Sequence, residues 1–239
     1  MNKQNLKRHI SGQFNSELEN IRHQVLAMGG LIEQQLSDAI SAIHHLDSNL
    51  AHQIIKNDQK VNAFEVAIDQ QCMRIIAKRQ PTAGDLRLIF AISKTVTDLE
   101  RIGDSAKKLA NVALEKIDQS KKPLLVSLEN LGRQCIEMLH QVLDSFARMD
   151  AERAYLVHGQ DAKIDQQYEK LVRELMTYMM EDPRSIPAIM EVMWAARALE
   201  RVGDRVQNIA EYVIYFVKGQ DIRHLDEQQL SEIMASGIS

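Results

Sequence analysis

The feature that most constrains the fold is an acidic hexapeptide with an internal glycine, which occurs twice in the chain. Residues 99–104 read LERIGD, and residues 199–204 read LERVGD. A second pair of segments repeats as well, since residues 60–62 read KVN and residues 163–165 read KID. Long helices with weak self-similarity can imitate a repeat. A matched hexapeptide at matched positions nevertheless favours the duplication of one structural unit.

Apolar residues recur at three- and four-residue spacing along most of the chain, which is typical of amphipathic helices. The sequence holds 10 Gly and 4 Pro, and aromatic residues make up 5% of it, which argues against a turn-rich sandwich or barrel. We expect the polar tail at the C-terminus to hold at most one short turn of helix. The pattern predicts six long helices, at about residues 4–46, 48–79, 85–117, 124–149, 151–181 and 184–219.

Turn and cap signals recur between these helices in the same way in both halves. Asp47 and Asp150 are N-cap candidates after the first and fourth helices. Pro81 and Pro183 mark the second turn of each half, and Asp85 is expected to cap the third helix. These matches predict an all-α fold of two tandem, pseudo-symmetric three-helix bundles. Helices of about 30 residues would be about 45 Å long, so the molecule should be elongated.

The boundary between the halves is marked by a proline that follows two lysines, at residues 121–123. The helical pattern restarts after it. We therefore predict one domain of residues 1–120, the first three-helix bundle. The other domain, residues 121–239, would hold the second bundle and a short C-terminal tail.

Composition excludes several classes of function. The net charge of −4 at pH 7 provides no general attraction for nucleic acid. The two cysteines, Cys72 and Cys135, form no CxxC pair, so neither a zinc knuckle nor a disulfide framework is supported. The N-terminal residues lack the apolar segment of a signal peptide, and no run approaches the roughly 18 apolar residues of a membrane span. We expect a cytoplasmic protein with no direct membrane insertion.

Each copy of the hexapeptide contains two features that are unfavourable in an isolated helix. Glu100 and Asp104 lie four residues apart on one face, where their repulsion costs roughly a few tenths of a kcal/mol. Gly103 costs about 1 kcal/mol relative to alanine. A cation between the carboxylates would remove the repulsion, and glycine would let a neighbouring group approach. The second copy contains both features as well, in Glu200, Gly203 and Asp204.

A second pair of polar side chains lies on the preceding helix of each half. Asp58 and Asn62 are four residues apart, as are Asp161 and Asp165. Residues equally far from the turn of an antiparallel helical hairpin lie level, so each half can bring two pairs together. Carboxylate oxygens suit hard divalent cations and iron. Because Asn62 removes one charge, we expect the second half to bind a cation more tightly.

Five segments, spread in order over nearly the whole chain, carry a resemblance to a known family. They are HISGQFNSEL, RIIAKRQPTAGDLR at the first turn, DLERIGD, TYMMEDPRSIP at the second turn, and ALERVGDRVQNIAEYV followed by VKGQD. The chain resembles the PhoU family of phosphate-transport accessory proteins. The resemblance implies that E(D)xxxD motifs bind metal, with Fe, Zn, Mn, Mg or Ni as candidate ions. The motifs fall on Glu100/Asp104, Glu200/Asp204 and Asp161/Asp165, with Asp58/Asn62 as an imperfect fourth.

The resemblance also implies a role in signalling, namely negative regulation of phosphate-starvation signalling and of phosphate uptake. Such a protein would be an adaptor that links the ATPase subunit of the phosphate ABC transporter to a sensor histidine kinase. It would form a homodimer and be recruited to the inner face of the membrane by its partners. The turn that contains Arg79, Asp85 and Arg87 is a candidate partner-binding surface. Its alternative role is structural, since Pro81 ends one helix there.

Two other interpretations stay open. The same acids would suit a metal-dependent carboxylate-bundle enzyme, either an oxidase or a phosphohydrolase. A di-iron oxidase needs ExxH spacing on two helices, whereas Glu137 and His140 form the single occurrence in this sequence, which also has no P-loop. We therefore predict that the protein is not an enzyme. The other interpretation is a helical scaffold whose acids face water and pair with Arg101 or Arg201.

Overall fold

The computed structural model describes residues 12–114, 122–223, 225 and 227–235. Regular structure within these ranges is helical throughout, which confirms the predicted all-α fold. No helix in these ranges is both long enough and apolar enough to cross a bilayer. The elements are α1 (Gly12–His45), α2 (Ser48–Arg79), α3 (Ala83–Val112), α4 (Lys122–Arg148), α5 (Ala151–His158), α6 (Asp161–Glu181), a 3-10 turn (Pro183–Ser185), α7 (Ile186–Lys218) and α8 (Glu227–Ala235).

The longest helices set the dimensions of the molecule. α1 has 34 residues and α7 has 33, so each is about 50 Å long at 1.5 Å per residue. α1, α2 and α3 contact one another, and α7 contacts α4, α5 and α6 in the same way. The elongated pair of three-helix bundles predicted from the repeat is therefore confirmed.

The prediction of a continuous fifth helix is wrong, because Gly159 and Gln160 divide it into α5 and α6. The Gln160 amide donates to the carbonyl of Val157 at 2.9 Å, a tight bond of the 3-10 type that closes α5. Asp161 then begins α6, where a negative charge is favoured by the helix dipole. The break therefore puts a candidate metal ligand in the first turn of a helix.

Three further details differ from the sequence prediction. α3 ends at Val112 and not at about residue 117, while the predicted start of the first helix at about residue 4 lies outside the described residues. α3 begins at Ala83 with Thr82 as its N-cap, so Asp85 is not the capping residue. Asp85 instead lies in the first turn, where its carboxylate accepts the Thr82 hydroxyl at 3.2 Å, an arrangement related to a capping box. The C-terminal tail forms α8, a helix of 9 residues, which is longer than the single turn expected.

The turns after α1 and α4 have the same backbone geometry in both halves. Leu46 and Met149 each adopt a left-handed conformation with φ of 55°. The amides of Asp47 and Asp150, which follow them, each donate at 2.9 Å to a carbonyl five residues earlier, as in a Schellman motif. Both aspartate side chains then accept backbone amides of the next helix, so the two predicted N-caps are confirmed.

Matched helices of the two halves pack against each other, α1 against α4 and α3 against α7. In the first pair the contacts are reciprocal, since Gly29 lies against Leu143 and Gly132 against Ile40. A Cβ atom at Gly29 would lie 2.5 Å from Leu143 Cδ2, so a larger residue at position 29 would force the Leu143 side chain to move. Buried apolar side chains of both halves form one core. The predicted domain boundary at residue 120 lies outside the described residues and stays a prediction.

α3 and α7 run antiparallel in a register that aligns the two copies of the hexapeptide. Arg87 lies beside Gly219, with its Cζ atom 3.4 Å from where a Cβ of that residue would be. Two helical turns further along α3, the Lys94 ammonium lies 5.4 Å from the ring centroid of Tyr212. Continuing this register brings the glycines of the two hexapeptides level. The fold therefore places both acidic motifs side by side in the middle of the molecule.

Candidate metal centre

The carboxylates of the second half meet where α6 begins and α7 passes. This second cluster consists of Asp161, Asp165, Glu200 and Asp204. Burial, followed by the negative charges of the other three acids, raises the pKa of Asp161 to about 6. Burial and the charge of Asp204 also raise the pKa of Glu200. The four side chains are thus close enough to influence one another, as the sequence spacing predicted.

Two of these acids have buried oxygen atoms that lack partners. Asp161 is 7% exposed and Glu200 is 9% exposed. In the part of the chain that the structure describes, Asp161 Oδ1 and Glu200 Oε2 accept no hydrogen bond. The other oxygen of Glu200 accepts a bond from Arg197. A buried carboxylate oxygen without a partner is destabilising, so a cation or a proton would stabilise this cluster.

Glycine at position 203 is what allows the Asp161 carboxylate to lie against α7. A Cβ atom at Gly203 would lie 2.6 Å from Asp161 Oδ1 and 3.1 Å from Ile164 Cγ2. The first distance is shorter than any normal contact, so alanine would displace the carboxylate. A Cβ atom at Gly103, the matched glycine of the first half, would lie nearest to Val61 Cγ1, at 3.2 Å. The glycine that is unfavourable for the helix therefore makes room for an acidic side chain in the second half.

The donor chemistry of the second cluster fits a hard cation, although the side chains are not already arranged around one. Across the described ranges, no three His, Cys, Asp or Glu side chains stand in the geometry of a metal site. Asp165 is exposed and Asp204 is partly exposed, so both can change rotamer without disturbing the core. Four carboxylates, two of them with unpartnered oxygens, provide the ligands that hard divalent ions prefer.

The first cluster, Asp58, Asn62, Glu100 and Asp104, is arranged around a lysine. Lys107 Nζ lies 2.9 Å from Asp58 Oδ2 and 3.5 Å from Asp104 Oδ1. This contact confirms that the acids of α2 and α3 lie level. Asn62 is exposed. A cationic group of the protein itself, the Lys107 ammonium, therefore contacts two acids of this cluster. Metal binding by Asp58, Asn62, Glu100 and Asp104 stays a prediction.

Sequence reasoning missed two residues of the first cluster. Burial, then the charges of Asp104 and Glu65, raise the pKa of Glu100. Glu65 is seven residues after Asp58, on the same face of α2, so helical spacing could have revealed it. Lys107 could have been found by comparing the halves, because the residue three places after the second hexapeptide is a glutamine.

The arginines of the hexapeptides are not the main partners of the acids, contrary to the simplest solvent-facing interpretation. Arg101 and Arg201 are exposed and lower the pKa of Glu100 and Glu200 through charge alone. The ion pairs at the clusters come from elsewhere, since Lys107 serves the first and Arg197 the second.

The three residues proposed for partner binding all pack within the chain, although Arg87 Nε has no hydrogen-bond partner in the described residues. Arg79 donates to both carboxylate oxygens of Glu17, at 3.0 and 2.8 Å. Asp85 is buried in the first turn of α3, and Arg87 packs beside Gly219. These contacts favour the structural role of the turn. Partner binding by Arg79, Asp85 and Arg87 stays a prediction.

The fold and the clusters define a class of protein: a duplicated three-helix bundle that carries matched acidic motifs on its paired inner helices. A family model described as the PhoU domain matches residues 25–113 and again residues 128–213. The chain therefore belongs to the PhoU family. The two matches fall one in each half, in agreement with the internal repeat.

Relatives and solved structures are similar over most of the chain. The phosphate-specific transport system accessory protein PhoU of Escherichia coli K12 is 59% identical over 235 residues, which is 98% of each chain. The crystal structure of PhoU from Pseudomonas aeruginosa has a TM-score of 0.81 and 47% identity, and the match covers 87% of this chain and 100% of that one. The phosphate transport system regulatory protein PhoU from Streptococcus pneumoniae has a TM-score of 0.79 at 29% identity, with 87% and 98% covered.

Proposed function

We propose that this protein regulates phosphate uptake as an accessory of a phosphate transport system, and that it acts by binding partners. The observation that carries this proposal is the near-complete match to the Escherichia coli accessory protein, at 59% identity over 98% of both chains. The partners would be the ATPase subunit of the phosphate ABC transporter and a sensor histidine kinase. The regulator would act in the cytoplasm as a homodimer and restrain phosphate-starvation signalling when phosphate is plentiful.

Partner retention tests this role. The immobilised full chain should retain the purified transporter ATPase subunit and the cytoplasmic part of the kinase, each in the presence and absence of Mn²⁺. A matched preparation of bovine serum albumin, coupled at the same density, controls for adhesion to the resin. If neither partner is retained under any condition, the adaptor role is overturned.

The enzyme alternative has weaker support than the regulator. The relatives are named as accessory or regulatory proteins. The single ExxH pair is engaged in other contacts, since Glu137 accepts the Gln141 amide at 2.7 Å and His140 lies 3.2 Å from Glu33 of α1. We therefore propose binding without turnover.

The second cluster is the proposed metal site, with Asp161, Asp165, Glu200 and Asp204 as ligands. Two nearly buried acids with unpartnered oxygens support it. An all-carboxylate set favours Mg²⁺, Mn²⁺ or iron over softer ions, although Zn²⁺ and Ni²⁺ stay candidates. The bound ion would neutralise the acids and hold α6 against α7.

Elemental analysis of protein purified without chelators or affinity metal tests this site. We expect metal to copurify with the wild type and to be largely lost from the Glu200→Ala/Asp204→Ala variant, because removing two charged ligands removes most of the affinity. The Glu100→Ala/Asp104→Ala variant is the matched control from the other half. A wild type that holds no metal and takes up none from added iron, Mn²⁺ or Zn²⁺ would overturn the proposal.

Gly203→Ala should weaken metal uptake at the second cluster without unfolding the protein. The new Cβ would push the Asp161 carboxylate away from α7, while the helix itself gains up to about 1 kcal/mol from alanine. Titration of the metal-free variant with Mn²⁺, alongside urea unfolding, measures both effects. Gly103→Ala, which meets Val61 instead of an acid, should leave uptake at the second cluster unchanged. Equal uptake by the Gly203→Ala variant and the wild type would contradict the role of this glycine.

A further inference from the structure

Lys107 joins the two helices of the first cluster through its ammonium group. Its Nζ atom lies 2.9 Å from Asp58 Oδ2 on α2 and 3.5 Å from Asp104 Oδ1 on α3. Asp58 is 5% exposed, so its charge needs a compensating partner inside the protein. An ammonium group has three donors and can serve two carboxylates at once. Lys107 thus pairs with acids from both motifs of the first half, although Asp58 Oδ1 accepts no hydrogen bond in the described residues.

The matched position of the second half lacks this charge. Lys107 follows Asp104 by three residues, and Gln207 follows Asp204 by three residues. The amide of Gln207 donates to the carbonyl of His158, at 3.4 Å, near the end of α5. Its neutral side chain therefore contacts the backbone of α5 and provides no charge to an acid. The ion pair of the second cluster joins Arg197 to Glu200. Asp161 Oδ1 has no hydrogen-bond partner in the described residues.

We propose that Lys107 is a built-in cation that takes the place of a metal ion in the first cluster, so that the two halves differ in their dependence on metal. This inference rests on the proposed metal site of the second half. The first half is held together by its own ammonium group whatever the metal supply, whereas the second half is completed by an ion from solution. A protein with two copies of one motif would then sense metal through one copy.

The position of the ammonium explains why a metal ion and Lys107 exclude each other. An ion bound between α2 and α3 would need the Asp58 and Asp104 oxygens that Lys107 now contacts. Two cations within contact distance of the same carboxylates repel strongly in a partly buried site. Removing the ammonium leaves carboxylates on neighbouring helices, as in the second half. Residue 107 therefore determines whether the first cluster binds a metal ion.

A reciprocal exchange of the two residues tests this inference. The Lys107→Gln variant gives the first half the glutamine of the second, and Gln207→Lys does the reverse. Each metal-free full-length protein is titrated with Mn²⁺, and bound ions per chain are counted after equilibrium dialysis. Lys108→Gln, at the neighbouring exposed lysine, is the control for the loss of one positive charge. Thermal unfolding with and without Mn²⁺ is measured in parallel.

The expected result is that bound Mn²⁺ per chain about doubles in Lys107→Gln, since a second carboxylate site opens. It should fall to near zero in Gln207→Lys and stay at the wild-type value in Lys108→Gln. Without metal, Lys107→Gln should melt at a lower temperature than the wild type, and Mn²⁺ should restore it.

The outcomes separate this inference from the proposed metal site. A wild type that binds Mn²⁺, with no additional ion in Lys107→Gln, overturns the role of Lys107 and leaves the second site standing. Binding by Lys107→Gln alone supports the role of Lys107 and overturns the second site. Binding by neither protein overturns both. If Lys107→Gln does not fold, unchanged Mn²⁺ binding in Gln207→Lys would itself overturn the inference.

Discussion

Replacing Arg205 with methionine should lower the free energy of unfolding by about 2 kcal/mol, because it leaves a buried carboxylate without its counter-charge. Asp98 of α3 is 3% exposed and accepts bonds from Arg205 at 3.3 Å and from the Tyr212 hydroxyl at 3.0 Å, both on α7. Burial raises the pKa of Asp98, while these partners lower it. The loss is smaller than for a fully buried pair, since Tyr212 continues to hold Asp98.

Urea unfolding at pH 5 and pH 8 measures this effect. The loss should be larger at pH 8, because a protonated Asp98 needs no counter-charge. Arg201→Met, an exposed arginine one turn away on α7, is the matched control and should change stability by less than about 0.5 kcal/mol. The double variant Asp98→Ala/Arg205→Met should recover part of the loss, since no charge is then stranded. An equal loss in the single and double variants would show that packing, not charge, is responsible.

This polar link joins the helices that carry the two hexapeptides. Asp98 is two residues before Glu100, and Arg205 directly follows Asp204. Asp98 and Arg205 thus connect the two halves next to both hexapeptides.

Features set by local chemistry could be predicted from the sequence. Helical periodicity, the Asp47 and Asp150 caps and the repeated turns each depend on a few neighbouring residues. The meeting of the acid pairs depends on equal distances from a turn, which are also readable from the sequence. The contacts of Lys107 with Asp58 and of Gly203 with Asp161 confirm that alignment.

Features set by contacts between distant residues could not be predicted. Glycine shows this directly, because Gly29 and Gly132 lie inside helices whereas Gly159 ends one. The first two fit against Leu143 and Ile40 of the opposite half. A Cβ atom at Gly159 would lie 3.8 Å from the Leu156 carbonyl oxygen and closer to no residue other than its two neighbours in the chain. Close packing therefore accompanies the unfavourable helix propensity of Gly29 and Gly132, but not that of Gly30, which also lies inside α1.

The turn residues show the same limitation. Arg79 pairs with Glu17, which is 62 residues away along the chain, and Arg87 packs beside Gly219. Arginines at a turn can therefore pack within the chain as well as contact a partner. Sequence spacing could not distinguish the two cases, because the contacts depend on how α1 and α7 pack against the first hairpin.

Asp161→Asn should stabilise the metal-free protein at pH 7.5, by at most about 3 kcal/mol, since one pKa unit corresponds to about 1.4 kcal/mol. The pKa of Asp161 is raised from 3.8 to about 6 by burial and by the neighbouring acids. Between these values the folded protein binds a proton that the unfolded chain has lost, so this residue's contribution to stability falls as the pH rises towards 6. Asparagine cannot ionise, so the variant should not show this fall.

Urea unfolding of chelator-treated protein at pH 4.5, 6 and 7.5 provides the measurement. The Asp165→Asn variant is an informative comparison, because the charge of Asp165 follows burial among the causes that raise the Asp161 pKa. Its fall in stability should therefore be centred at a lower pH than that of the wild type. Adding Mn²⁺ at pH 7.5 should reverse the order, since the wild type gains stability from bound metal and Asp161→Asn has lost a ligand. Parallel pH profiles for the wild type and Asp161→Asn would show that protonation of Asp161 is not linked to folding. The negative charges of the second cluster would then not destabilise the folded protein, and the cluster would not need a cation.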